Sequence, residues 1–331
     1  MNDVAALARV SIKTVSRVIN QQSTVSPEIA ARVEQAVRRL DYHPNVAAVS
    51  LRRADHKTST IGLLLEDVAN PFSSALHRAV EDTAKRHGML VFAGSSDENP
   101  EREREVLGAF VRHQVDGMIV MPAGRHQDGL LVEQRRQGRP VVLVDRLVEH
   151  LGTDSVTADN RVGAREAVRH LAAHGHRRIA FLGDSRSIWT ARERHVGYSE
   201  GLLSEGIPYD PELVRQDFPT IELAEGAALD LLASADPPTA LFTAQNLITL
   251  GAVRALRQRE LQHRVALIGF DDLTLADLLD PATSAIVQDP HTLGRMAAEL
   301  LFARLGGDRG PSKHVVVPIR LVARGSGEIP A

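Results

Sequence analysis

The sequence predicts a small all-helical head followed by a larger α/β body built from two parallel-sheet halves. The first reason is length, since 331 residues make about two domains at roughly 150 residues each. The second is charge. Residues 1–57 hold nine Lys and Arg against five Asp and Glu, a net of +4, so the rest of the chain carries −7. The third is periodicity, which is helical up to residue 40. From Thr60 it changes to short, continuous apolar runs alternating with amphipathic helices.

Composition closes several routes. The chain has no cysteine, which excludes a disulfide scaffold, thiolate metal sites and cysteine nucleophiles together. No apolar run approaches the roughly 20 residues a membrane span needs. The first twenty residues lack the basic start and apolar core of a secretion signal. The expectation is a cytoplasmic protein with no membrane partner. A basic head on an acidic body fits a polyanion partner for the head alone, and charge by itself leaves a solvated basic face equally open.

Within the head, residues 3–20 break the helical period once, at Arg9-Val10-Ser11. Val4, Leu7 and Ala8 form one apolar stripe, and Val15, Val18 and Ile19 a second. Ala5 is small enough for a steep helix crossing, and Ser11 is suited to cap the second helix. Two short helices joined by so tight a turn predict a helix-turn-helix, whose second helix projects into the DNA major groove. A third helix follows, capped by Ser26 with Pro27 in its first turn. Ile29, Val33, Val37 and Leu40 line its inner face, and Pro44 ends it. A plain three-helix bundle is the alternative, and Lys13, Ser16, Arg17 and Asn20 clustered on the second helix favour DNA. Val46–Arg53 then reads as about two further helical turns, too short to be stable alone.

The run DVAALARVSIKTVSRVIN, followed by VSPEIAARVEQAVRRLDYHPNVAAVSLRR, resembles the lactose-repressor (LacI) family of bacterial transcription regulators. The resemblance extends over the head, the linker and nearly all of the body. It implies that Ile12 and Lys13 are base-reading residues, and that Thr14, Ser16, Arg17 and Asn20 contact phosphates and bases. It places Asn45, Leu51 and Arg52 in the DNA contact of a hinge helix, with Leu51 wedged into the minor groove. It also implies a homodimer on a pseudo-palindromic operator in double-stranded DNA. Three departures stand out. Arg9 sits where the family's turn has a left-handed glycine, Val49 where many members are polar or basic, and the first helix's usual Ser/Thr cap would precede Met1.

The expected domains are 1–44 for the head, 45–59 for hinge and linker, and 60–331 for effector binding and dimerisation. In the body, strand-like runs are Ile61–Leu65, Leu90–Ala93, Met118–Met121, Val141–Val144, Ile179–Leu182, Ala240–Thr243 and Val265–Ile268. Near-continuous apolar strands with helices between them mean parallel sheets covered on both faces. His87-Gly88 and His174-Gly175 place glycine just past helices that lead into strands. The family fold implied is two Rossmann-like subdomains of the periplasmic-binding-protein type I kind. The first spans about 60–158 and 290–317, the second about 159–289 and 318–331.

Ligands of open parallel sheets sit beyond the carboxyl ends of the strands. Polar residues following the strands therefore nominate Phe72, Ser73, Asp97, Asp145, Arg146, Asn246, Asp271 and Gln288 as effector contacts, with Asn70 and Gln245 beside them. Planar carboxylates, amides and guanidinium groups bind adjacent hydroxyls, and an aromatic covers a sugar's apolar face. The resemblance adds Arg194 as the ligand-gripping arginine, and notes that Asn246 replaces an aspartate common in sugar-responsive members. The expected effector is a small carbohydrate. No cofactor or metal is expected, since His170, His174 and His176 read as a surface cluster without a carboxylate beside it. Trp189 either lines the crevice or covers the helix after it. No hydrolase elbow, P-loop or dinucleotide fingerprint is present. Asp271-Asp272 does not read as an acid pair, because adjacent strand-end residues point apart. The sequence thus favours a binding protein over an enzyme. A transport-system solute-binding protein shares the body's fold but lacks a basic helical head.

Overall fold

In the computed structural model, which describes residues 1–19, 24–42, 58–124, 129–148 and 150–331, the described residues of the N-terminal unit Met1–Thr58 form three helices. They are α1 (Asn2–Ala8), α2 (Ile12–Ile19) and α3 (Pro27–Arg39). Val4, Ala5, Ala8, Val15, Val33 and Ala36 form its small core. Leu7, expected in the first stripe, is instead 41% exposed, and Ala5 takes its place because it faces the crossing. The break between α1 and α2 is a left-handed Arg9 with φ 50° and ψ 50°, whose N–H closes back on the carbonyls of Ala5 and Ala6. A non-glycine residue holds that conformation at a cost of about 1 kcal/mol. Ser11 caps α2, its Oγ accepting from the Thr14 N–H at 3.1 Å. Ser26 stands at the N-cap of α3 but its side chain makes no cap bond, so Pro27, which has no N–H to satisfy, shapes that end instead. Helix α3 stops at Arg39, leaving Leu40 outside it and 42% exposed. The expected hinge, Val46–Arg53, and Pro44 lie outside the described residues.

The second unit, Ser59–Ala331, holds two six-stranded sheets. The first contains β1 (Thr60–Leu65), β2 (Leu90–Ser95), β3 (Gly117–Val120), β4 (Val141–Val144), β5 (Asp154–Ala158) and β11 (His314–Val317), in the order β11-β5-β4-β3-β1-β2 and all parallel. The second contains β6 (Ile179–Leu182), β7 (Val214–Arg215), β8 (Ala240–Thr243), β9 (Ala266–Phe270), β10 (Ser284–Val287) and β12 (Arg320–Val322). Its order is β12-β10-β9-β8-β6-β7, with β12 the single antiparallel member. The chain passes between the sheets three times, after β5, after β10 and after β11. That interlacing makes two lobes of one unit.

Helices cover both faces of each sheet. Helices α4 (Pro71–Arg86) and α11 (Pro290–Leu305) pack with the first sheet's strands around Ile61, Leu63, Leu65 and Val156. On its other face lie α5 (Pro100–Arg112) and α6 (Gly129–Arg136), around Leu107, Phe110, Met118 and Leu131. In the second lobe, α7 (Asn160–Ala173) and α8 (Trp189–Ser204) cover one face, and α9 (Ile221–Leu232) with α10 (Asn246–Gln258) the other. Each fully buried Leu, Ile or Phe contributes roughly 1.5–3 kcal/mol. Helix α8 comes unusually close to α7. A Cβ on Gly197 would meet the Arg161 carbonyl oxygen at 2.2 Å, so only glycine permits that approach. Among the described residues, no helix is long and apolar enough to cross a membrane.

Two strands differ from expectation. Strand β2 is an edge strand with Leu90 74% exposed, so it is not buried on both faces. Strand β5, Asp-Ser-Val-Thr-Ala, is buried throughout despite its polar residues. Arg304 makes this possible by clamping Asp154 with Nε and Nη2 at 2.7 and 2.8 Å, while the Lys313 N–H donates to the same carboxylate.

Candidate functional site

Helix α2 is the first candidate surface. Its one fully buried side chain, Val15, anchors it to the head, leaving Ile12, Lys13 and Arg17 exposed and Thr14 and Ser16 half-buried. The helix therefore presents an apolar tip and two cations outward. Asn20, Asn45, Leu51 and Arg52 lie outside the described residues.

The second candidate is a crevice of about 390 Å³ between the lobes. Its walls come from the carboxyl ends of strands in both sheets. Glu66 follows β1, Asp145 and Arg146 follow β4, Asp184 follows β6, Asp271 follows β9 and Gln288 follows β10. Asn70 and Phe72 open α4, Thr190, Ala191 and Arg194 open α8, and Gln245 and Asn246 open α10. Seven of the nine nominated effector residues are thus brought together: Phe72, Asp145, Arg146, Arg194, Asn246, Asp271 and Gln288.

Ser73 and Asp97 are not in the wall. Asn70 caps α4 by accepting from the Phe72 N–H. One residue on, Ser73 has turned about 100° away from Phe72, and it is fully buried. Asp97 adopts φ 48° and pairs with Arg102. The following residue, Glu98, instead pairs with the wall residue Arg146. Glu66, Asp184 and Thr190 were not nominated, although Glu66 and Asp184 obey the same strand-end rule as their neighbours. Trp189 begins α8 and is not a wall residue.

Charge in the crevice is organised around two buried arginines. Arg146 Nη1 donates to Glu98 Oε2 at 2.8 Å and to the Pro122 carbonyl at 3.0 Å. Its Nη2 donates to Glu66 Oε2 at 2.8 Å and Glu98 Oε1 at 2.6 Å. Although burial alone would lower it, the surrounding carboxylates hold the Arg146 guanidinium above its ordinary range. Arg194 Nε donates to Asn160 Oδ1 at 2.7 Å and Nη1 to the Ala244 carbonyl at 2.8 Å. It lies 3.8 Å over the Phe270 ring, a cation–π contact, with Asp271 Oδ2 at 3.6 Å.

Burial pushes the crevice acids upward. Glu66 rises to about 8, with Arg146 opposing and Glu98 and Asp145 adding to the rise. Asp145, Asp184 and Asp271 also rise, in each case chiefly through burial. Gln288 Nε2 donates to Asp271 Oδ1 at 2.6 Å. Asp272 turns the other way, to Arg324. The two aspartates do point apart. Across the crevice, Asn246 Nδ2 donates to Asn70 Oδ1 at 2.9 Å. The result is a polar-walled cleft with an aromatic at one side, suited to hydroxyl-rich molecules.

The histidines behave differently from the surface cluster expected. His176 is fully buried, with Nδ1 2.9 Å from Thr239 Oγ1 and Nε2 2.8 Å from the Ile329 carbonyl. His170 does have a carboxylate beside it, Glu328 at 2.5 Å. Together they fasten the C-terminal tail to the second lobe.

Comparison with known proteins gives matches over the whole chain. Residues 1–45 match the model for bacterial regulatory proteins of the lacI family, and residues 168–327 match a periplasmic binding protein-like domain. The chain is 35% identical to the HTH-type transcriptional regulator PtxS of Pseudomonas aeruginosa, covering 98% of this chain and 95% of that protein. A lac repressor dimer bound to operator and the anti-inducer ONPF superposes with a TM-score of 0.86 at 26% identity, over 98% of each chain. A complex of the transcriptional regulator CelR with cellobiose gives a TM-score of 0.74 at 31% identity, again over 98% of each.

Proposed function

Because the chain belongs to the lacI family of bacterial regulatory proteins, we propose that it is a cytoplasmic transcriptional repressor whose operator affinity is set by a small carbohydrate. One observation carries this reading: an outward-facing recognition helix and a two-walled polar crevice are encoded in the same chain. Ile12, Lys13 and Arg17 read and grip the major groove, with Thr14, Ser16 and Asn20 supporting them. Asn45, Leu51 and Arg52 extend the contact toward the operator centre. Two chains bind a pseudo-palindrome as a homodimer. Phe72, Asp145, Arg146, Arg194, Asn246, Asp271 and Gln288 hold the effector, and the protein acts by binding, without catalysis. Domain boundaries after residues 44 and 59 separate reading, hinge and sensing.

Closure on a ligand changes DNA affinity only by the ligand's differential affinity for the two body states, about 1–3 kcal/mol of coupling. A thermal-shift screen of sugars, followed by binding to selected DNA fragments with and without each hit, tests both halves. Affinity falling linearly with log salt, at about −0.9 per phosphate contact, supports the head. A salt-independent affinity, or no sugar that shifts both melting and DNA binding, overturns the reading.

A further inference from the structure

Hydrogen-bond accounting in the crevice fixes the direction of one amide. Asn70 Nδ2 donates to Glu66 Oε1 at 2.6 Å, so only its oxygen faces the opposite lobe. That oxygen accepts both the Phe72 N–H at 3.1 Å and Asn246 Nδ2 at 2.9 Å. An amide has one acceptor end and one donor end. With the donor end held by Glu66, residue 246 has to donate. Asn246 does so, and its own oxygen is taken by the Leu247 N–H at 2.8 Å. Glu66 is itself held, since Oε2 accepts from Arg146 Nη2.

We infer that Glu66 is a specificity-determining residue of the crevice, acting through Asn70: it keeps that amide's oxygen toward the opposite lobe, so a ligand displacing Asn246 must bring a hydrogen-bond donor. Two further acceptors share this requirement. Asp145 Oδ1 and Gln288 Oε1, on wall residues, are buried and without a partner, and an unmet buried acceptor is costly. On the donor side, Arg146 Nε is also buried without a hydrogen-bond partner, while its terminal nitrogens are held by Glu66 and Glu98 and Arg194 donates to Asn160 and Ala244. The unmet wall acceptors thus outnumber the unmet wall donor and favour hydroxyls, which both donate and accept. The ligand class is therefore an uncharged polyhydroxy compound. Sugar acids and sugar phosphates, whose anionic oxygens only accept, are rejected. The ligand part rests on the effector reading above, whereas the amide orientation does not.

The test combines an unfolding cycle with a ligand panel, both on the full chain at pH 9, where Glu66 is ionised. Asn246→Asp places two acceptors face to face, and Asn246→Ala only removes the contact. Urea unfolding is expected to show Asn246→Asp at least tenfold more unfolded than Asn246→Ala in the native background. With Glu66→Ala, which frees the Asn70 amide to turn, that difference shrinks to threefold or less. Glu98→Ala also strips a carboxylate from Arg146 but does not touch Asn70, and is expected to leave the tenfold difference intact. An unchanged difference in the Glu66→Ala background would assign the orientation to the Phe72 cap and overturn the role of Glu66. In calorimetry with D-ribose, D-glucose, D-gluconate and D-glucose 6-phosphate, a neutral sugar is expected to bind at least tenfold more tightly than either anion. Anions binding as well as neutral sugars overturn the ligand class. Binding by none of the four overturns the carbohydrate reading, and the unfolding cycle then decides the amide orientation alone.

Discussion

The two lobes place an aspartate in the same strained turn and surround it differently. Asp145, after β4, has φ 65°, and Asp271, after β9, has φ 70°. Each donates its backbone N–H to the strand beside it, to the Val156 carbonyl at 2.8 Å and the Ile286 carbonyl at 2.9 Å. Left-handed non-glycine residues are uncommon and cost free energy, so their recurrence at matching strand ends marks a functional position. In the first lobe the guanidinium comes from the next residue, Arg146, and is claimed by Glu66 and Glu98. In the second lobe the next residue, Asp272, faces away to Arg324, and the guanidinium arrives on a helix as Arg194. The first lobe's arginine therefore neutralises buried charge. The second lobe's arginine depends on helix packing for its position.

That contrast breaks most visibly on removing each guanidinium. Arg146→Ala leaves Glu66 and Glu98 without their shared countercharge, and breaking a buried pair costs about 3–5 kcal/mol. Arg194→Ala removes hydrogen bonds to Asn160 and Ala244 and is expected to cost about 1–3 kcal/mol while abolishing the ligand response. Denaturation midpoints beside sugar titrations check both. Equal stability losses would mean that the two arginines do the same work.

The second lobe's dependence on packing has its own probe. Gly197→Ala puts a methyl 2.2 Å from the Arg161 carbonyl oxygen, which forces α8 outward. Overpacking of this kind costs about 1–3 kcal/mol, and it carries Arg194 with the helix. Ligand affinity is expected to fall along with stability. Native ligand affinity in the Gly197→Ala protein would show that Arg194 is placed by its own hydrogen bonds rather than by the helix.

Much of this arrangement is legible in the sequence, and the failures have physical causes. Val141–Val144 and Ile179–Leu182 are uninterrupted apolar runs buried on both faces, and Ala240–Thr243 is apolar up to its final threonine, so pattern alone delimits them. Strand β5 escapes pattern because Asp154 is neutralised by Arg304, 150 residues away in the chain. Strand-end reasoning finds Asp145, Arg146, Asn246, Asp271 and Gln288, since each follows a strand closely. It fails for Asp97 and Ser73, where a left-handed turn and a helix start rotate the nominated residue away. The rule also covers Glu66, which directly follows β1 yet was not nominated, and only its contacts with Arg146 and Asn70 are tertiary facts that no pattern shows. On the second helix the exposed cations were readable, because helical period alone separates Val15 from Lys13 and Arg17.

The excess of buried acid in the first lobe gives a pH signature. Glu66 titrates near its ordinary 4.5 when unfolded and at about 8 when folded, so the native state binds the extra proton between those values. Its stabilising contribution is full below about 4.5 and is lost as pH rises through 8, with a ceiling of about 1.4 kcal/mol per pH unit. Asp145, Asp184 and Asp271 slope the same way from lower pH. Glu66→Gln is expected to flatten the upper part of the profile in urea unfolding from pH 5 to 9. An identical slope in the variant would place the titration on other acids.

The smallest effect separates strain that serves a site from strain that does not. Asp145 and Asp271 hold left-handed turns whose carboxylates face the crevice, and replacing either by glycine relieves strain but removes a wall oxygen. Arg9 is also left-handed, at φ 50°, and it ends α1 with its N–H returned to Ala5 and Ala6. Its side chain is exposed, so the backbone strain there secures nothing in the head's core. Arg9→Gly is therefore expected to stabilise the head by about 0.5–1 kcal/mol, where glycine at either aspartate is expected to cost ligand binding. The same variant tests whether Arg9 touches DNA. A phosphate contact would lower the slope of log affinity against log salt by about 0.9 per head, and an unchanged slope with a higher melting temperature would leave Arg9 without a role in binding. A variant no more stable than the native head would show that the turn's geometry is held by the α1–α2 crossing strongly enough for its own strain to vanish from the balance.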